Sequence, residues 1–257
     1  MKEKTKQDLV ILKLGTSVLT HEDGTLDGGI FAQLAEQVAK LRNRYRVAIV
    51  SSGAVAAGRH KIGAYDEHEV GRKAAAAIGN HHLIKLYGEV FALHGVHVAQ
   101  ILCDRSTFTD SGRLLTLQAT LTTLWRNNIL PILNENDVMA SHALSFTDND
   151  ELAAMLAISC KAKQLLIGSS VAGLLNNGKV VARIDDFSDE VLGLVSYASS
   201  VLGKGGMASK LRHAKEATAS GVGVVIFDAR KAGNILRASR GQTGTLCSAA
   251  NEVGAEL

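Results

Sequence analysis

Aromatic residues are scarce in this sequence: Phe, Trp and Tyr together make up 4% of 257 residues. Proteins that hold unpaired bases stack them on such rings, so nucleic-acid binding is not expected. Cysteine is scarce too. Cys103, Cys160 and Cys247 are odd in number and far apart, which gives no disulfide framework and fits reduced, buried thiols of a cytoplasmic protein. No apolar run is long enough to cross a membrane, and Lys13 interrupts the first one before a signal-peptide core could form. Histidines lack metal spacing: His81-His82 and His94-x-x-His97 have no partner ligands nearby in the sequence. A Gly-x-Ser-x-Gly elbow is missing as well, which argues against serine hydrolysis. There is no internal repeat, low-complexity segment or linker.

What remains is an ordinary globular composition, 46% hydrophobic with a mild net charge of +3. The length fits a single domain over residues 1–257 with a core that needs no metal or staple. Short β-branched runs read as strands: LVILKLG (9–15), VAIVSSG (47–53), HVAQILC (97–103), ILPILN (129–134), QLLIG (164–168) and VGVVIF (222–227). Between them lie helical patterns at 31–44, from about 67 to 94, and at 114–128. The basic cluster at 40–46 reads as a helix C-terminus, where cations complement the dipole. Near-continuous apolar strands alternating with helices predict a three-layer αβα sandwich around a central, mostly parallel β-sheet.

Ligands of such sheets sit beyond the carboxyl ends of the strands. There the sequence places Lys13-Leu14-Gly15-Thr16-Ser17, Ser51-Ser52-Gly53-Ala54, Asn134-Glu135-Asn136-Asp137 and, soon after, FTDND at 146–150. A strand-end lysine such as Lys13 is as readily a surface residue as a functional one. The following Gly15 favours function, because it lets a backbone N–H approach an anion. Ser52 and Gly53 stand where a strand turns into a helix, a place that also favours anions. GKGGMASK, at 203–210, runs into a helix starting near Met207. It matches neither a Walker A loop nor a Rossmann fingerprint, but Lys210 can serve as a point charge for phosphate. In FTDND, Asp148 or Asn149 can cap the helix that follows. A single cap does not require three polar residues, so an additional carboxylate is expected to bind a substrate ammonium or to hold lysines.

Five motifs then matter together: KLGTSVLT, SSGAVAAGR, PILNENDVM, TDNDELAA and GKGGMASKL. In their order and spacing the chain resembles the amino acid kinase family from about residue 9 to 247. NEND followed by DND is similar to the members that act on glutamate. The resemblance implies the amino acid kinase fold and ATP-dependent phosphorylation of the L-glutamate side-chain carboxylate to L-glutamyl 5-phosphate, the first step of proline biosynthesis. Alternatives are a sister kinase acting on another small carboxylate or phosphate, and a catalytically weak amino-acid sensor.

Position by position, the resemblance implies that Lys13 and Lys210 stabilise the transferring phosphoryl group and that Asp150 organises them. It implies substrate binding by Ser52, Gly53, Asn134, Asp137, Asp148 and Asn149. On the nucleotide side it implies Lys13, Gly15, Ser169, Ser170, Lys204, Gly205, Gly206, Met207 and Lys210. Mg2+ is expected to be held mainly through the ATP phosphates, with no metal site of the protein's own. Feedback by proline and a homo-oligomer are further expectations, with no membrane partner. The chain departs from the family where Thr-Asp is usual and Ser169-Ser170 stand, where Gly precedes the DND aspartate and Thr147 stands, and where Lys204 replaces a common Thr. The family's Asp-Pro loop is absent after Gly173-Leu174-Leu175, and a C-terminal PUA domain is not expected.

Overall fold

A computed structural model describes residues 7–139, 141, 143–196 and 206–249. In chain order the first half comprises β1 (Leu9–Leu14), α1 (Thr16–Leu19), α2 (Gly28–Leu41), β2 (Arg46–Ser51), α3 (Ala54–Arg59), α4 (Glu69–Ala92) and β3 (His97–Cys103). There follow α5 (Ser106–Thr109), α6 (Ser111–Arg126), β4 (Ile129–Glu135), α7 (Asn149–Ser159) and β5 (Gln164–Ser169). The remainder is β6 (Leu175–Asn176), β7 (Lys179–Val180), β8 (Arg183–Ile184), α8 (Asp189–Ser196), α9 (Met207–Ala219), β9 (Gly223–Asp228), α10 (Asn234–Ala238) and β10 (Thr245–Cys247). All six strands expected from the sequence are present within two residues of their expected bounds. The first expected helix starts earlier, at Gly28, because Asp27 caps it by accepting from the Ile30 N–H at 3.1 Å.

Eight strands form one sheet in the order β3-β4-β2-β1-β5-β9-β10-β8, and among the described pairings within it β9 with β10 alone is antiparallel. A separate hairpin joins β6 to β7. The three-layer, mostly parallel architecture is therefore as expected, while β8, β10 and the hairpin are additions.

Strand alternation sends side chains to two cores. Val10, Leu12 and Leu14 face one side with Val47 and Ile49, packed on α2, α4 and α10. Leu9 and Ile11 face the other with Val50 and Ile167, packed on α6, α7 and α9. Because the side-chain period of a strand is two, Lys13 continues the second face, directly beneath α7 and α9. β1 pairs with β2 on one flank and β5 on the other, so the connections leave it in opposite directions. That reversal opens a crevice at the carboxyl end of β1.

The wall of the crevice on the first face is set by two glycines. A Cβ built on Gly58 would lie 1.9 Å from the Ala75 carbonyl oxygen, and one on Gly79 would lie 1.7 Å from that of Ala54. Only glycine permits so close an approach, so α3 and α4 touch backbone to backbone.

Candidate active site

Lys13 enters a buried position because of the strand register just described. Its Nζ lies 2.6 Å from Asp150 Oδ1, and Lys210 Nζ lies 3.0 Å from Asp150 Oδ2. Asp150 is fully buried, and the two lysine side chains are only 6% and 9% exposed. Burial alone would raise the Asp150 carboxyl pKa. The facing charges and hydrogen bonds of Lys13 and Lys210 outweigh it and hold the group below the ordinary carboxylate range. One carboxylate between two ammonium groups leaves a local excess of positive charge. Such a buried cluster is weak ground for stability, because dehydrating three ions offsets most of their attraction. It makes sense as a device that presents charge to an anion.

The three polar residues of the DND stretch divide the work. Asp148 is the cap: its Oδ1 accepts from the Asp150 N–H at 2.8 Å and the Glu151 N–H at 3.1 Å. Its other oxygen accepts from the Ser209 hydroxyl, which ties α7 to α9 one residue before Lys210. Asn149 reaches the opposite way, with Nδ2 3.0 Å from the Ser51 carbonyl, 3.0 Å from Ser52 Oγ and 3.1 Å from Asn134 Oδ1. Asp150, next in line, faces the lysines. Helical geometry fans these three side chains apart, so one turn serves a cap, an amide cluster and a charge cluster at once.

The remaining candidates fall around this centre. Gly53 is the N-cap of α3 with φ +94°, a left-handed conformation that favours glycine. Gly15 has φ −76°, which any residue adopts. Its value lies in space, since a Cβ there would sit 3.6 Å from Lys13 Nζ. Helices α1, α3 and α9 begin behind Gly15, Gly53 and Gly206 with no side chain capping them, so their first-turn N–H groups have no side-chain acceptor at the cap. Ser169 is buried, its carbonyl accepting from Ala229 N–H at 2.9 Å, and Ser170 Oγ lies 3.2 Å from Ser17 Oγ. Met207 opens α9 and packs against the second core. Lys204 and Gly205 lie outside the described residues. Asp137 stands in the turn after β4, half-buried; burial raises its pKa, and the charge of Arg72 opposes that rise only in part.

Several residues were not singled out from the sequence. Asn80 Oδ1 accepts from Asn134 Nδ2 at 2.9 Å, and Tyr87 Oη lies 3.0 Å from Ser51 Oγ. Both belong to α4, and their spacing of seven puts them on one face. An asparagine and a tyrosine at that spacing, on the face that carries Ala76, Leu83 and Val90, were the available signal. Arg105 pairs with Glu151 at 2.6 Å, and Glu151 also accepts from the Thr147 N–H at 2.8 Å, which fastens the segment leading into α7. Of the cysteines, Cys103 and Cys247 are buried and Cys160 is half-buried, with burial raising their pKa values to about 12, 12 and 11. Among the described residues no group of three His, Cys, Asp or Glu could hold a metal ion, and no helix is long and apolar enough to cross a membrane.

A parallel sheet with this crevice and lysines gathered at the strand ends defines a class, and comparison agrees: residues 8–228 match the amino acid kinase family, to which this chain belongs. Curated relatives include the glutamate 5-kinase of Kosmotoga olearia, 37% identical over 243 residues, which cover 92% of this chain and 67% of that protein. That of Pelobacter propionicus is 34% identical over 248 residues, covering 92% of this chain and 66% of that protein. That of Geobacter sp. strain M21 is 37% identical over 254 residues, covering 95% and 68%. The chain thus spans about two thirds of the length of these relatives. Among solved structures, isopentenyl phosphate kinase superposes with a TM-score of 0.65 at 18% identity, covering 93% of this chain and 100% of that chain. At that identity the likeness speaks for the fold.

Proposed function

We propose that the chain transfers the γ-phosphoryl group of ATP to the side-chain carboxylate of L-glutamate, giving L-glutamyl 5-phosphate, as the names of its curated relatives imply. The observation that carries this reading is the Lys13–Asp150–Lys210 cluster, two buried ammonium groups set by one carboxylate at the mouth of the sheet. Phosphoryl transfer asks mainly for positioning and for cations near the equatorial oxygens. The acceptor is already an anion, so no general base is needed. An amino-acid sensor would have no use for the lysines.

In this reading Lys13 and Lys210 face the transferring group, and Asp150 keeps them apart and aimed. Asp148 enters as the cap that directs Asn149 and Asp150. Asn149, Ser52, Gly53, Asn134 and Asp137 hold the glutamate. Gly15 and the open N-termini of α1 and α9 lie toward the nucleotide phosphates. Mg2+ in this reading is held mainly through the ATP phosphates, whose charge it neutralises when bound.

Purified protein incubated with Mg-ATP, a panel of amino acids and hydroxylamine tests the function. Hydroxamate is expected with glutamate alone. ADP release that ignores the amino acid supplied would sink the reading. A second measurement addresses the nucleotide side. Ser169 Oγ accepts from the Val171 N–H at 3.4 Å and Ser170 Oγ lies 3.2 Å from Ser17 Oγ, and neither hydroxyl offers a charge to a base or ribose. Loss of such a contact is expected to weaken discrimination among ATP, GTP and CTP by about 1–3 kcal/mol. Strict exclusion of GTP and CTP at undiminished ATP affinity would contradict it.

A further inference from the structure

We propose that Asn80 is a positioning residue for the amino-acid site, acting through Asn134 on Asn149, so that Asn149 Oδ1 is reserved as an acceptor for an N–H of the substrate. This rests on the function proposed above and specifies how that site selects an amino acid.

The inference starts from the directionality of amides. A primary amide has a nitrogen that only donates and an oxygen that only accepts. Asn149 Nδ2 is surrounded by three acceptors: the Ser51 carbonyl, Ser52 Oγ and Asn134 Oδ1. Asn134 Oδ1 also receives the Glu135 N–H at 2.9 Å, and Asn134 Nδ2 donates to Asn80 Oδ1 at 2.9 Å. Each link fixes the next. Turning the Asn134 amide over would set its NH2 against the Glu135 N–H and the Asn149 NH2. Turning Asn149 over would set its oxygen against two others. Asn80, from the middle of α4, supplies the acceptor that locks the near end of this line.

At the far end, Asn149 Oδ1 is buried and has no hydrogen-bond partner among the described residues. A buried acceptor without a donor costs free energy, and it persists in a well-packed site when a ligand supplies the donor. Among the groups of glutamate at neutral pH, the α-ammonium alone carries N–H donors. The relay therefore turns a buried helix amide into a requirement that the substrate be an amine as well as an acid.

A cavity of about 10 Å³, lined by Ser51, Asn80, Leu83, Tyr87, Gln100 and Asn134 among others, adjoins the first link. It has room for about one water. Truncating Asn80 to alanine would enlarge it and invite a water to take over as acceptor, so leucine, which keeps the branched shape and has no polar atom, is the sharper variant.

Steady-state kinetics on the whole chain decide the matter, with wild type, Asn80→Leu and Asn80→Asp compared for glutamate and for ATP. Asn80→Leu is expected to raise the glutamate KM about ten-fold or more, with kcat changed by less than about three-fold and the ATP KM unmoved. Asn80→Asp keeps an oxygen facing Asn134 Nδ2 and is expected to restore the glutamate KM. Glutarate, which lacks the ammonium, is expected to be a poor acceptor for wild type and to lose little further in Asn80→Leu. A folded leucine variant with an unchanged glutamate KM would overturn the relay. So would a loss shared equally by both substrates and not restored by aspartate, which is what a merely structural asparagine gives. Should the leucine variant fail to fold, Asn80→Val, smaller than leucine and likewise without an acceptor, replaces it, and an unchanged glutamate KM there overturns the relay equally. Wild type that forms no hydroxamate from glutamate would overturn the parent function instead, before any variant is compared.

Discussion

Asp150 has a lysine ammonium on each of its carboxylate oxygens, at 2.6 and 3.0 Å, whereas Asp137 has no ion-pair partner among the described residues. Both sit at the carboxyl ends of the same sheet, and desolvation acts on both in the same direction. Their pKa values nonetheless move oppositely: below the ordinary range for Asp150 and above it for Asp137. The contrast separates a carboxylate clamped between two cations from one that, among the described residues, has only the weaker influence of the Arg72 charge, and in the proposed function an arriving cation completes it. Glutamate carries such a charge on its α-ammonium, which does not react. In the proposed function, phosphoryl transfer develops charge beside the lysines.

The strongest way to break this comparison is to delete the built-in charges. Lys13→Ala or Lys210→Ala is expected to lower kcat by about 10²–10⁴ in a protein that still folds. Asp150→Ala should join them and also lower the melting temperature, since two buried ammonium groups lose the carboxylate between them, a change worth about 3–5 kcal/mol. A destabilised but fully active Asp150→Ala would leave that residue as scaffolding for α7 and nothing more.

A smaller effect is expected at the other aspartate. Asp137→Asn should raise the glutamate KM about 10- to 100-fold, with a lesser fall in kcat from poorer positioning and little change in melting temperature. A loss confined to kcat would put Asp137 on the side of the reacting group and erase the distinction.

The smallest effect, and the finest test, comes from pH. Asp150 has a lowered folded-state pKa, so its contribution to stability is fully present above the ordinary aspartate value and is lost only as pH falls through the lower folded value. Asp137 has a raised pKa, so its ionised form costs stability at neutral pH, and that cost is relieved as pH falls through the raised value. Binding an ammonium needs Asp137 ionised. On acidification the glutamate KM should therefore rise by a few-fold while the fold is intact, before the Asp150 contribution begins to fade. Glutamate KM and melting temperature, measured together from neutral to acid pH on wild type and Asp137→Asn, check the order. Simultaneous loss of both in wild type would contradict it.

Much of the fold could be read from the chain because long parallel strands are buried on both faces and leave unbroken apolar runs, as in residues 9–14. β8 and β10, of two and three residues, are too short to carry a period, and the antiparallel return of β10 depends on tertiary pairing. At the site, the residue types gathered at each strand end were legible, while the pairing of Lys13 and Lys210 with Asp150 followed from the family resemblance. Which of Asp148 and Asn149 caps α7 was not, because either side chain can do so and the choice rests on where Ser51 and Asn134 stand. Asn80 escaped for a related reason. It sits in a helix interior without a motif around it, and its meaning comes entirely from a residue 54 positions away.

The backbone contact between α3 and α4 also bears on how the site responds to heat. Gly58 and Gly79 leave no side chain between the two helices, so nothing there can change rotamer to absorb a gradual loosening. Asn80 follows Gly79 directly, and α3 starts at Gly53 beside Ser52. The wall that carries these groups can therefore keep its register or lose it, with few states between. Warming should leave the amino-acid pocket nearly as ordered a few degrees below the melting transition as it is in the cold, and the pocket should then vanish together with the fold.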